Sequence, residues 1–135
     1  MPRILSVEDD PDFQHLVSYA LRSQGFEVHS AFTGPEGHQK ALALLPDLIL
    51  MDLMLPGLNG LEVLTLLKQR EKTRDIPVIV LTAYSEDAAF EKDLKALGAF
   101  EYLSKPIRFD ALIRLVRRIL FERTPVARPH GKCYF

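Results

Sequence analysis

Asp47-Leu48-Ile49-Leu50-Met51-Asp52 is the stretch on which the fold turns. Its apolar residues run without alternation between two acids, so neither face is reserved for water. That is the pattern of a central strand in a parallel sheet with helices over both faces. A carboxylate closing such a strand is costly to bury unless it has partners. Asp52 is therefore a residue chosen by chemistry and not by packing.

Outward from this strand, short apolar runs alternate with stretches of helical period. Upstream, Ile4 to Val7 is a brief apolar run, and Phe13, Leu16, Val17, Ala20 and Leu21 follow at the spacing of one buried helix face. Asp10 suits the N-cap of that helix, Pro11 its first position and Gly25 its stop. Phe26 to Phe32 reads as a second strand, and Thr33-Gly34-Pro35 opens a helix that Pro46 ends. Downstream, a turn-rich loop from Leu53 to Asn59 leads into a helix near Gly60. Pro77 to Thr82 is the fourth strand, with proline at its first residue, where a missing donor is tolerated. Ser85-Glu86-Asp87 starts a helix that Gly98 closes, and Phe100 to Leu103 is the fifth strand. Phe109, Leu112, Ile113, Val116, Ile119 and Leu120 stand at core spacing in a last helix. Residues 1–122 thus read as one folded domain, and 123–135, without period and with two prolines, as an extended or disordered tail.

Five β-α units in this length imply a single α/β domain, a doubly wound (βα)5 parallel five-stranded sheet, for which the common flavodoxin-like order 2-1-3-4-5 is expected. Function in such sheets sits beyond the carboxyl ends of the strands, where the strand order reverses. Glu8, Asp9 and Asp10 follow strand one, Asp52 ends strand three, Thr82 ends strand four and Lys105 follows strand five. In this order strands one and three are neighbours, so Glu8 and Asp9 face Asp52. At about 4 Å and an effective dielectric near 20, each pair of like charges costs on the order of 4 kcal/mol. A hard divalent cation relieves that repulsion, and Mg²⁺ prefers such oxygens. A carboxylate nucleophile flanked by a metal, a hydroxyl and an ammonium has the parts that stabilise a transferring phosphoryl group. The Glu8-Asp9-Asp10 run alone would fit simple capping and dipole compensation, and Asp10 is assigned that role. The joint placement of complementary groups at four strand ends is what carries weight.

The rest of the composition narrows the field. Of 135 residues, 17 are Lys or Arg and 18 Asp or Glu, a net charge of −1 that gives no general drive toward nucleic acid or anionic membranes. The apolar runs are too short for a membrane span, and the acids after Val7 rule out a signal peptide. The single cysteine, Cys133, rules out disulfides and cysteine-rich metal sites. A cytoplasmic domain is expected. His15, His29, His38 and His130 are scattered, with surface or packing roles. Arg108, Arg114, Arg117, Arg118 and Arg123 read as a solvated helix face with favourable charges near its end.

The motifs Ile4-Leu5-Ser6-Val7-Glu8-Asp9-Asp10, Asp52-Leu53-Met54-Leu55-Pro56-Gly57 with Gly60, Leu81-Thr82-Ala83, Gly98-Ala99 and Tyr102-Leu103-Ser104-Lys105-Pro106 together resemble the receiver domain of bacterial two-component response regulators. The resemblance covers Pro2 to about Phe121. It implies that Asp52 accepts a phosphoryl group from a sensor histidine kinase, a phosphotransfer protein or a small acyl phosphate. It implies that Asp9 holds Mg²⁺ directly and Glu8 through water, with Asp52 and the Met54 carbonyl completing the protein ligands. Thr82 and Lys105 would bind phosphoryl oxygens, Tyr102 would be the switch aromatic, and the Lys105-Pro106 bond would be cis. A downstream effector or a missing output domain would read the switch, with a possible homodimer through the face of helix four, strand five and helix five. Phe100 weighs against that dimer, because winged-helix regulators commonly carry an acid there. Ser6 replaces a usual aliphatic residue and reads as a tolerated small one. Met54 and Tyr84, two residues beyond Asp52 and Thr82, cannot orient attacking water, so dephosphorylation is expected to be slow.

Other readings are less well served. An aspartyl phosphohydrolase wants a second acid two residues after its nucleophile, and Met54 is none. A flavin or nucleotide binder wants glycines or hydroxyls in the first β-α turn, where Glu8-Asp9-Asp10 would repel phosphate. A receiver-fold interaction domain not regulated by phosphorylation is the remaining alternative, although each residue needed for phosphorylation is present. The receiver and its tail are expected to take up these 135 residues, with the output on another chain or another segment.

Overall fold

A computed structural model describes residues 1–83 and 88–122. Its strands are β1 (Arg3–Val7), β2 (Glu27–Ala31), β3 (Leu48–Asp52), β4 (Val78–Thr82) and β5 (Glu101–Ser104). The helices are α1 (Pro11–Arg22), α2 (Gly34–Leu44), α3 (Gly60–Lys68), α4 (Ala88–Ala96) and α5 (Phe109–Arg117). All strand pairs are parallel, in the order β2-β1-β3-β4-β5. The expected start of α4 at Ser85 and the tail 123–135 lie outside the described residues.

The core explains why β3 lacks alternation. Ile49 and Met51 join Leu5, Val78 and Val80 in one cluster, with Val63 and Leu67 of α3 and Leu94 of α4. Leu48 and Leu50 join Ile4, Ile79 and Leu81 in the other, with Val17 and Leu21 of α1 and Leu112 and Val116 of α5. Successive side chains of a strand point to opposite faces, so a sheet covered on both sides needs an unbroken apolar run. Burying each such Leu or Ile contributes roughly 1.5–3 kcal/mol.

Local chemistry sets the helix ends. The Asp12 amide donates to the Asp10 side chain at 3.0 Å, the Glu36 amide to Thr33 Oγ1 at 3.1 Å, and Asn59 with Glu62 forms a reciprocal capping box. The structure corrects one face. Leu16 is 51% exposed, whereas Gln14 and Ser18 are buried beside Val17 and Leu21. The inward stripe of α1 is thus 14, 17, 18 and 21, with Gln14 and Ser18 turned in and the expected core residue Leu16 turned out. The last helix also differs from one uninterrupted α-helix: α5 ends at Arg117 and a π-helical turn runs Arg118–Glu122. On that turn Phe121 stacks on Phe26 at 5.9 Å between ring centres.

The outer edge of β2 is covered by charge. The Arg22 guanidinium donates to the Val28 carbonyl at 2.8 Å, the Lys40 ammonium to the Ser30 carbonyl at 2.6 Å, and the Phe32 amide to Glu36 Oε1 at 2.7 Å. These contacts occupy polar groups that a foreign strand would otherwise use. No helix among the described residues is long and apolar enough to cross a membrane.

Two positions generate tests. A Cβ on Gly34 would fall on the Leu58 backbone carbonyl, so α2 can lie against the loop after β3 only with glycine there. Gly34→Ala is expected to lower unfolding free energy by roughly 1–3 kcal/mol in urea titrations; an unchanged midpoint would refute the close packing. The Lys68 ammonium donates to the carbonyls of Arg74 at 2.9 Å and Ile76 at 2.8 Å. Burial pushes its pKa down to about 8, with Asp75 opposing. Because the unfolded chain binds this proton more tightly, wild-type stability should rise relative to Lys68→Met as pH climbs from about 8 toward the ordinary lysine value. Parallel pH curves for the two proteins would show that Lys68 is not desolvated.

Candidate functional site

The register of the central strands carries the acids to one place. Val7 lies opposite Met51, so Glu8 and Asp52 leave the sheet side by side. Glu8 and Asp52 are 2% and 4% exposed, and Asp9 is exposed at the rim. Carboxylate oxygens of the three lie within 4.8 Å of one another. The Asp52 backbone is confined too, because a Cβ on Gly60 would strike the Asp52 carbonyl. The Met54 amide donates to Asp52 Oδ1 at 3.2 Å, bending the chain sharply around the carboxylate.

Lys105 arrives from across β4. Ser104 pairs with Thr82, and the Lys105 amide donates to the Thr82 carbonyl at 2.7 Å, which fixes where the side chain starts. The peptide bond to Pro106 is cis. Lys105 Nζ reaches Glu8 Oε1 at 3.0 Å and Asp52 Oδ2 at 3.3 Å. It also lies 4.7 Å from the ring centre of Phe13, which in turn stacks on Phe109. The aromatic face holds the ammonium by its quadrupole, so the cation is braced on one side and drawn by two anions on the other.

The charges act on one another. Burial pushes the Glu8 carboxyl up to about 7, against the pull of its hydrogen bonds from Lys105 and from the Asp10 amide; the Asp52 charge adds to the rise. Burial alone would lower the Lys105 ammonium, but the hydrogen bond to Glu8 and the charge of Asp52 outweigh it and hold the pKa above the usual value. Among the described residues one ammonium, that of Lys105, meets Glu8 and Asp52 while Asp9 adds a third carboxylate, so the pocket is short of positive charge. Its hard oxygen donors, crowded and mostly buried, fit a small divalent cation such as Mg²⁺.

The structure thus brings Glu8, Asp9, Asp52 and Lys105 together. Fully buried Thr82 ends β4, next to the strand that Asp52 closes. Tyr102 pairs with Val80, two positions before the end of β4, and packs half-buried against the cluster containing Met51 and Leu94. The Met54 side chain is exposed, while its backbone lies at the pocket. Tyr84 lies outside the described residues. Residue patterns missed Phe13 and Gln14 as parts of the site. Gln14 carries a readable signal, being a polar residue in register with Val17, Ser18 and Leu21. The support from Phe13 depends on where a lysine from the far end of the chain arrives, and no local pattern encodes that.

Comparison with known proteins agrees with this geometry. The family model described as response regulator receiver domain matches residues 4–117. The chain is 40% identical over 134 residues to the DNA-binding dual master transcriptional regulator RpaA of Synechocystis, a match covering 98% of this chain and 55% of that protein. It is 37% identical over 125 residues to the phosphate regulon transcriptional regulatory protein PhoB of Rhizobium meliloti, covering 93% of this chain and 55% of the relative. The chain therefore spans about half the length of the curated relatives it matches. Among solved structures, the response regulator TrrA of Thermotoga maritima in complex with Mg(2+)-BeF superimposes with a TM-score of 0.78 and 35% identity, over 89% of this chain and all (100%) of that one. By fold, acidic pocket and family match, this chain belongs to the response regulator receiver domains, the signalling switches of two-component systems.

Proposed function

We propose that this receiver is switched by phosphorylation of Asp52. The observation that carries the reading is the Lys105 ammonium lying between Glu8 and Asp52, at 3.0 and 3.3 Å, with Asp9 completing the acidic rim. A carboxylate oxygen of Asp52 attacks the phosphorus of a phosphohistidine on a sensor histidine kinase or phosphotransfer protein. A P–O bond forms, the P–N bond breaks, and the imidazole leaves with the electron pair and takes up a proton. Glu8, Asp9, Asp52 and the Met54 carbonyl would hold Mg²⁺, which supplies positive charge against the incoming phosphoryl oxygens. Lys105, freed from the Asp52 charge as that oxygen is esterified, turns its ammonium to a phosphoryl oxygen, and the Thr82 hydroxyl donates to another.

The readout follows from the same groups. As Thr82 moves toward the phosphoryl group, Tyr102 turns inward and the face of α4, β5 and α5 changes shape. Phosphorylation biases an existing two-state equilibrium, and a partner that prefers one state reads it. That partner is an effector protein or an output domain reached through the tail 123–135, with residues 1–122 as the receiver unit in the cytoplasm. RpaA is a DNA-binding regulator by name, which favours an output domain. The receiver itself is not expected to bind nucleic acid. Arg108 and Arg114 both lie at Asp110, at 3.0 and 3.8 Å, and Arg117 lies over Phe121, as a solvated face would have it.

Incubation with Mg²⁺ and a small acyl phosphate should add one phosphoryl mass to the wild type and none to Asp52→Asn. No gain by a wild type that still binds Mg²⁺ would leave a receiver-fold interaction domain instead. The crowding of carboxylates predicts a second result. In a metal chelator, Asp52→Asn should be more stable than wild type by about 1 kcal/mol, since it removes one anion from a pair with buried Glu8. Adding Mg²⁺ should stabilise wild type more than the variant. A variant less stable than wild type in chelator would mean that Lys105 fully offsets the repulsion.

A further inference from the structure

We infer that Gln14 is a positioning residue for the acidic pocket: its side-chain amide fixes the backbone from which Glu8 projects. This rests on the reading of that pocket as a Mg²⁺-dependent phosphoacceptor site. Gln14 stands in the first turn of α1 and is 2% exposed, a burial usual for leucine and unusual for an amide. Its Nε2 donates to the carbonyls of Ser6 at 3.0 Å, Glu8 at 3.2 Å and Ala31 at 3.0 Å. Those carbonyls belong to β1, to the loop that follows it and to the end of β2. The Ala31 carbonyl also accepts the Glu8 amide at 3.0 Å. Glu8 is therefore held at both its N–H and its C=O, and its side chain alone is left to face Lys105 and Asp52. The Gln14 backbone N–H donates to the Asp10 carbonyl at 2.9 Å, so the clamp is anchored in the helix.

The residue type matters. Two N–H protons serve three buried acceptors, a task that neither a hydroxyl nor an apolar side chain can take over. Glutamate would set a carboxylate against carbonyl oxygens. Methionine keeps the length and volume of glutamine and removes the donor. Groups that orient a ligand residue commonly change metal affinity by 10–100-fold when lost, without touching the metal themselves.

The test compares Gln14→Met with Val17→Ala, a truncation on the same helix within the apolar cluster of Leu21 and Leu112. Mg²⁺ affinity by calorimetry, unfolding midpoints and hydrogen exchange of the Glu8 amide are measured for both. Gln14→Met is expected to bind Mg²⁺ on the order of 10-fold more weakly than wild type. It should also speed exchange at the Glu8 amide far more than at Leu50 in the middle of β3. Val17→Ala should lose stability while keeping Mg²⁺ affinity within about twofold of wild type, the ordinary independence of separate sites. The inference is overturned if Gln14→Met keeps wild-type affinity and Glu8 exchange, or if both variants lose them in proportion to stability. Should the wild type bind no Mg²⁺, the reading of the pocket falls, and Glu8 exchange alone decides whether Gln14 positions that residue.

Discussion

The Lys105 ammonium between Glu8 and Asp52 is the interaction on which the rest of the site depends. Two carboxylates almost without solvent access would repel strongly, and desolvation would penalise each. One cation shared by both makes the arrangement tolerable without making it comfortable, as the rise of Glu8 to about 7 records. Every part of the fold near this point serves that contact. Parallel pairing of β1 with β3 brings the acids together, pairing of β4 with β5 delivers Lys105, and Phe13 supports it from beneath. Gly60 allows the start of α3 to fold back tightly against the backbone of Asp52 and Leu53.

The same crowding suits a switch. A pocket short of positive charge gains on receiving a divalent cation, and one whose lysine is shared between two anions can change partners when one anion is esterified. In the proposed switch, rearrangement of Lys105 and Thr82 would couple chemistry at Asp52 to β4 and β5, and Tyr102 of β5 packs against the cluster that holds Leu94 of α4. Such coupling needs only a few kcal/mol of differential affinity between two states.

Much of this was legible in the sequence because it is written in local patterns. The unbroken run Leu48 to Met51 carried the covered sheet, and Asp52 at its end carried the site. Asp10 caps its helix as its type requires, and Thr33 opens the next. What was not legible depends on contacts distant along the chain. The register of Gln14 with Val17 and Leu21 could be read, but not the three carbonyls from two strands and a loop that receive its side-chain amide. The π-helical turn at the end of α5 goes with Phe121 lying on Phe26, about a hundred residues away, and spacing within one helix does not encode that.

The most direct measurement is a crystal structure of this chain with Mg²⁺ and beryllofluoride, a stable mimic of the phosphoryl group. The account predicts beryllofluoride on an Asp52 carboxylate oxygen, Mg²⁺ on Glu8, Asp9 and Asp52 oxygens directly or through water, and Lys105 Nζ moved from Asp52 to a fluorine. Beryllofluoride bound elsewhere, or a Lys105 still lying between Glu8 and Asp52, would contradict it.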